Sequence, residues 1–171
     1  MKFFFKVLIF DVLIMSLLMC CTKIESYPNT PEVHFKSYTT DRFIDNSDND
    51  IKLAEIIFSF VDGDGDIGLR QSDSLEPYVG KYKNNFFSSL YIKSNGKYIE
   101  VKNIFLSNYT IPYIEPKGQN KTLKADVKIT FEYTNSDTLF NYDTLMYKYY
   151  IIDRALNQSN IDSTCDIVFK K

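Results

Sequence analysis

The sequence predicts an all-β fold, a seven-stranded antiparallel immunoglobulin-like β-sandwich, for residues 32–171. Three observations carry this. Apolar residues recur at every second position along several runs, and helical i, i+3, i+4 stripes are missing from the same region. The apolar residues are mainly Ile, Leu, Val, Phe and Tyr, with 14 Phe and 13 Tyr, side chains that suit a pleated, half-buried surface. The runs are short and separated by turn signals, as in a two-sheet sandwich.

Each element follows from its own residues. The first strand, 33–38, is short and extended and follows Pro28 and Pro31. The second, 53–61, sets Ala54, Ile56, Phe58 and Phe60 on one parity. The third, 86–93, and fourth, 97–106, flank Ser94-Asn95-Gly96; Asn-Gly between apolar runs marks a hairpin because both residues accept the positive φ of a tight turn. The fifth, 123–133, alternates most cleanly, with Leu123, Ala125, Val127, Ile129, Phe131 and Tyr133 against Lys124, Asp126, Lys128, Thr130 and Glu132. Runs 145–152 and 165–169 complete the set. The expected core includes Phe58, Phe60, Val127, Ile129, Phe131, Ile151 and Phe169. Cys165 shares the parity of Ile167 and Phe169 and reads as a buried small hydrophobe. Most tyrosines read as half-buried sheet residues with a polar tip.

The N-terminus reads as an export signal. Lys2 and Lys6 precede an apolar run from Val7 to Met19, too short for a comfortable membrane span, and Asp11 within it would be costly in hydrocarbon. Residues 1–20 are therefore expected to be removed. The end of the run, Leu18-Met19-Cys20-Cys21, resembles the lipobox of bacterial lipoproteins, where a cysteine is lipidated and becomes the mature N-terminus. The residue before the cleaved bond should be small, which favours Cys21, preceded by Cys20, over Cys20, preceded by Met19. The alternative is a plain secreted form or a single-span anchor. Residues 21–31, polar with two prolines, read as a lipidated tether, and residues 32–171 as the domain. The expected location is the cell envelope, lipid-anchored, at the outer membrane.

One segment carries chemistry: Asp62-Gly63-Asp64-Gly65-Asp66-Ile67-Gly68. Aspartates at alternate positions can turn several oxygens toward one point, and the glycines let the backbone curl. A hard cation with oxygen ligands, Ca²⁺ above all, suits such a loop. In an immunoglobulin-like topology the loop after the second strand meets the loop after the sixth. Asp153 and Asn157 of that loop are then candidates to complete the shell around Asp62, Asp64 and Asp66. An EF-hand is rejected: its sixth loop position would be Ile67 where glycine is needed, its twelfth is Asp73 rather than glutamate, and the flanks read as strands. The alternative to a metal is an acidic turn whose aspartates accept backbone N–H groups.

The segments 58–69, 111–118 and 152–160 together resemble a family of uncharacterised immunoglobulin-like lipoproteins from Bacteroidota. The resemblance implies fold and location more than activity. The tripeptides at 73–75, 137–139, 143–145 and 162–164 also match the O-glycosylation pattern of such bacteria.

Composition excludes several classes. A formal charge of −2 gives no electrostatic case for nucleic acid. One histidine, His34, rules out a histidine-rich zinc site, and one remaining thiol, Cys165, rules out a cysteine-rich site or an internal disulfide. A nucleophile–histidine relay would need His34 brought to a distant hydroxyl. The reading is a non-catalytic, lipid-anchored binding or interaction module with one Ca²⁺ and a protein or glycan ligand. The runner-up is a glycan-binding accessory lipoprotein of a surface nutrient-uptake system.

Overall fold

The computed structural model describes residues 25–102, 108–117 and 120–169. β1 (Glu32–Ile44) and β2 (Asp50–Asp62) form a long hairpin. Its turn is tied by Asp45, whose carboxylate accepts the backbone N–H groups of Ser47 and Asn49. β5 (Leu123–Thr134) pairs with β2 to complete a three-stranded sheet of order β1-β2-β5. β3 (Phe86–Ser94) and β4 (Lys97–Glu100) form the Asn95-Gly96 hairpin, both turn residues having positive φ. β6 (Thr144–Ile151) pairs with β3, and β7 (Asp162–Ser163) and β8 (Ile167–Val168) pair with the other edge of β6. All pairings between these strands are antiparallel, and the two sheets pack face to face as a β-sandwich.

Aromatic rings fill the space between the sheets. Phe58 of β2 meets Tyr149 of β6 at 4.9 Å and Phe86 of β3 at 5.5 Å. Phe131 of β5 stacks on Tyr147 of β6 at 4.0 Å. Of the expected core, Phe58, Phe60, Ile129, Phe131, Ile151 and Phe169 are buried, while Val127 is half-buried against it. The far end is closed by Lys52, only 4% exposed, whose Nζ donates to the Phe140 carbonyl at 2.6 Å and sits over the Phe140 ring.

Three expectations are corrected. β1 runs well beyond residue 38; a register shift between Phe35 and Ser37 and two-sided exposure past that point erase the alternation that would have marked it. The fourth strand ends at Glu100 in the described residues, and 103–107 lie outside them. The last expected run, 165–169, shortens to β8, and a further two-residue strand, β7, precedes it. Between Ser163, opposite Lys148, and Ile167, opposite Leu145, one extra residue enters the strand. That bulge inverts the parity, so Thr164 is buried and Cys165 is exposed.

The two sheets are also joined along one seam. The Asn160 side chain accepts the Val33 N–H at 2.8 Å and donates to the Val33 carbonyl at 2.9 Å, as a neighbouring strand would. The Asp162 carboxylate accepts the Phe35 N–H at 2.6 Å.

Replacing Phe131 by Ala removes the ring stacked on Tyr147 and leaves a cavity between the sheets. The expected cost is about 3 kcal/mol, read from urea unfolding midpoints. Replacing Val127, only half-buried, should cost clearly less.

Candidate metal centre

The alternation of β2 builds the site. Ile56, Phe58 and Phe60 point inward, and the next inward position is Asp62, which is 0% exposed. The chain then turns, and Asp64 and Asp66 fold back toward Asp62. One carboxylate oxygen from each of the three lies within 4.8 Å of the others. The turn is held from inside by Asp62, whose Oδ2 accepts the Asp66 N–H at 2.9 Å. One oxygen of each aspartate, Oδ1, is buried without a hydrogen-bond partner. Burying such acceptors unpaired is costly, and a divalent cation bound by oxygens removes the cost.

Three neighbouring segments clamp the loop from outside, and each meets a glycine. The Gly63 N–H donates to the Pro28 carbonyl at 2.9 Å; a Cβ there would lie 2.2 Å from the Tyr27 carbonyl oxygen. Gly65, with φ of 68°, faces the Lys121 carbonyl, and Gly68, with φ of 101°, faces Pro112. The stretch from Glu25 to Pro31 therefore belongs to the domain surface rather than to a free tether. Lys124 also holds it, lying over the Tyr27 ring at 4.0 Å and 3.1 Å from Glu25.

The loop after β6 does come to the acidic loop. The Arg154 N–H donates to the Asp66 carbonyl at 3.3 Å, and the Ala155 N–H to Asp66 Oδ2 at 3.1 Å. Arg154 is also paired with Asp73, which lies in the long connection between β2 and β3. Asp153, 2% exposed, stands beside the group of three rather than within it. Asn157 does not face the aspartates as a free ligand: its N–H donates to Asp153 Oδ1 at 2.7 Å and its Nδ2 to Asp153 Oδ2 at 2.8 Å. Asn157 thus braces Asp153, because the turn makes it a local donor to the carboxylate four residues back. The Asp73–Arg154 bridge and the Pro28 contact were missed by sequence reasoning; both link segments far apart in the chain and leave no local pattern.

The electrostatics follow from this crowding. Asp62 is pushed up to about 7, first by burial, then by the charges of Asp64 and Asp66. Burial raises Asp66, and the charges of Asp153 and Asp64 add to it. Burial also raises Asp153, against the hydrogen bonds from Asn157. A cation between such groups favours their charged forms and reverses these shifts. Asp64 and Asp66 line an open cavity of about 340 Å³ shared with Tyr113, Glu115, Lys121 and Arg154.

Strand register sets His34, Ser59 and Asp126 side by side across β1, β2 and β5. Their bonds run elsewhere. The His34 ring meets Glu32 at 3.0 Å, the Ser59 hydroxyl points at the His34 carbonyl at 3.4 Å, and Asp126 pairs with Lys36 at 2.8 Å. The hydroxyl-to-imidazole contact of a nucleophilic relay is not made among them.

No family model, curated protein or solved structure matches this chain. The class that fold and site define is an all-β sandwich with a carboxylate-rich loop at one end.

The raised carboxylate sets the pH dependence of the metal-free domain. Between the unfolded value near 3.8 and the folded value of about 7, the folded state holds more protons at Asp62, so stability falls as pH rises through that window. Thermal melts in chelator should show a lower melting temperature at pH 7.5 than at pH 5. Asp62→Asn should flatten that slope.

Proposed function

We propose that the protein is a lipid-anchored, non-catalytic binding module of the cell envelope, held by lipid at Cys21 and carrying one Ca²⁺ at Asp62, Asp64 and Asp66. The observation that supports the cation is the convergence of three carboxylates, each with a buried and unpartnered oxygen. Asp153, buried beside them, adds charge that attracts a cation. The anchor and the outer-membrane location rest on the lipobox resemblance at residues 18–21 and on the resemblance to the Bacteroidota family. With a bound cation the loop becomes a rigid platform for a protein ligand.

One observation favours the second reading, a glycan-binding accessory protein. A cavity of about 280 Å³ on the outer face of the β3–β6 sheet is lined by half-buried Tyr91 and Tyr150, rings on which a sugar can stack. Binding on a glycan array that disappears in Tyr150→Ala would select it.

Calcium bound only to the folded form raises stability by about 2.7 kcal/mol at a hundredfold excess over its dissociation constant. Chelation should lower the melting temperature of the wild-type domain. In Asp64→Ala the response to chelator should vanish, whereas Asp126→Ala, on the outer sheet face, should keep it. Absence of binding heat on millimolar Ca²⁺ titration would return the loop to an acidic turn.

The anchor has its own test. Metabolic labelling with a fatty-acid analogue should mark the wild-type chain and Cys20→Ala, and should fail on Cys21→Ala. Labelling that survives in Cys21→Ala would sink the assignment.

A further inference from the structure

The acidic end of the sandwich is also the end from which the chain leaves for its N-terminus. Pro28 and Tyr27 lie on Gly63, and Glu25 reaches Lys124. Between Glu25 and Cys21 lie only residues 22–24, and four residue steps span at most about 14 Å. A lipid at Cys21 thus holds Glu25 within that reach of the membrane surface, and the carboxylate loop lies against Tyr27 and Pro28, two and three residues further on. This places the cation site where phosphate-bearing headgroups are the most abundant oxygen ligands.

We propose that this end docks, through the bound cation, on the phosphates of an anionic lipid surface. The inference rests on the calcium and anchor readings given above. Asp62 is 0% exposed with Oδ1 unpartnered and closes the inner side, while Asp64 and Asp66 open onto the cavity of about 340 Å³. Ca²⁺ takes roughly six to eight oxygens, so these carboxylates leave positions on the open side for a headgroup phosphate. Exposed Lys121 lines the mouth as a cation for a neighbouring phosphate, and exposed Lys117 follows Pro116 of its wall in sequence. Ile114 and Leu156, 39% and 37% exposed, project from the flanking loops. Leu156 holds a φ of 67°, a conformation bulky residues avoid, at the tip of the loop after β6. Apolar tips of this kind gain by entering the headgroup boundary. Without the cation, half-buried Asp64 and Asp66 and exposed Glu115 line the same mouth and repel an anionic surface, so docking is cation-gated.

The test uses the unlipidated chain from residue 22, which retains every strand and core residue among the described residues. Flotation with vesicles of mixed phosphatidylglycerol and phosphatidylcholine should recover at least about tenfold more protein in millimolar Ca²⁺ than in chelator, with little on pure phosphatidylcholine. Leu156→Glu and Ile114→Glu should reduce flotation several-fold while their calorimetric Ca²⁺ titrations match wild type. Asp64→Ala should lose both signals. Calcium heat without flotation, or flotation equal on neutral vesicles, overturns the docking surface and leaves the calcium reading standing. Absence of calcium heat together with absence of flotation overturns both.

Discussion

The two-residue pleat of β2 governs the molecule. The same alternation that sends Ile56, Phe58 and Phe60 against Tyr149 and Phe86 sends Asp62 inward one step later. A strand cannot change faces without a bulge, so the strand that builds the core also delivers a carboxylate to its edge. The sheets hold that carboxylate in place through packing that has nothing to do with charge. Its unpaired oxygen is then a standing cost, one that a bound cation would remove.

The glycines of the loop are fixed by their neighbours. Gly63, Gly65 and Gly68 each sit where another backbone approaches closer than any side chain would permit: at Tyr27 and Pro28, at Lys121, and at Pro112. Two of them also hold left-handed φ values. The acidic loop is thus a shape imposed from three sides, with Arg154 and Asp73 tying the segments behind it. Asp62, held in a loop shaped this way, is shifted so far first by burial and then by the charges of Asp64 and Asp66.

Much of the fold was legible in the sequence because burial and parity coincide. The alternation at 123–133, the Asn95-Gly96 turn and the run around Phe58 each appear as strands or turns where the pattern put them. The nearness of the loops after β2 and β6 was legible too, since it follows from topology once the strands are counted. What failed were the features that break period two. The register shift at Phe35 hid the second half of β1, and the bulge after Ser163 turned Cys165 outward against its apparent parity. Asn157 was read by its chemistry as a ligand; its geometry makes it a brace for Asp153. The contacts of Tyr27 and Pro28 involve residues whose composition says only that the chain is extended.

The seam made by Asn160 and Asp162 has a consequence for self-association. β1 is the edge of its sheet, and an edge with open N–H and C=O groups recruits foreign strands. Here the amide of Asn160 and the carboxylate of Asp162 already occupy Val33 and the N–H of Phe35. The occupying groups are side chains, which satisfy the edge without extending the ladder for another chain to continue. Copies of the molecule crowded together find no template for strand exchange along that stretch. Protection of the edge from Val33 to Phe35 thus comes from two polar side chains rather than from net charge.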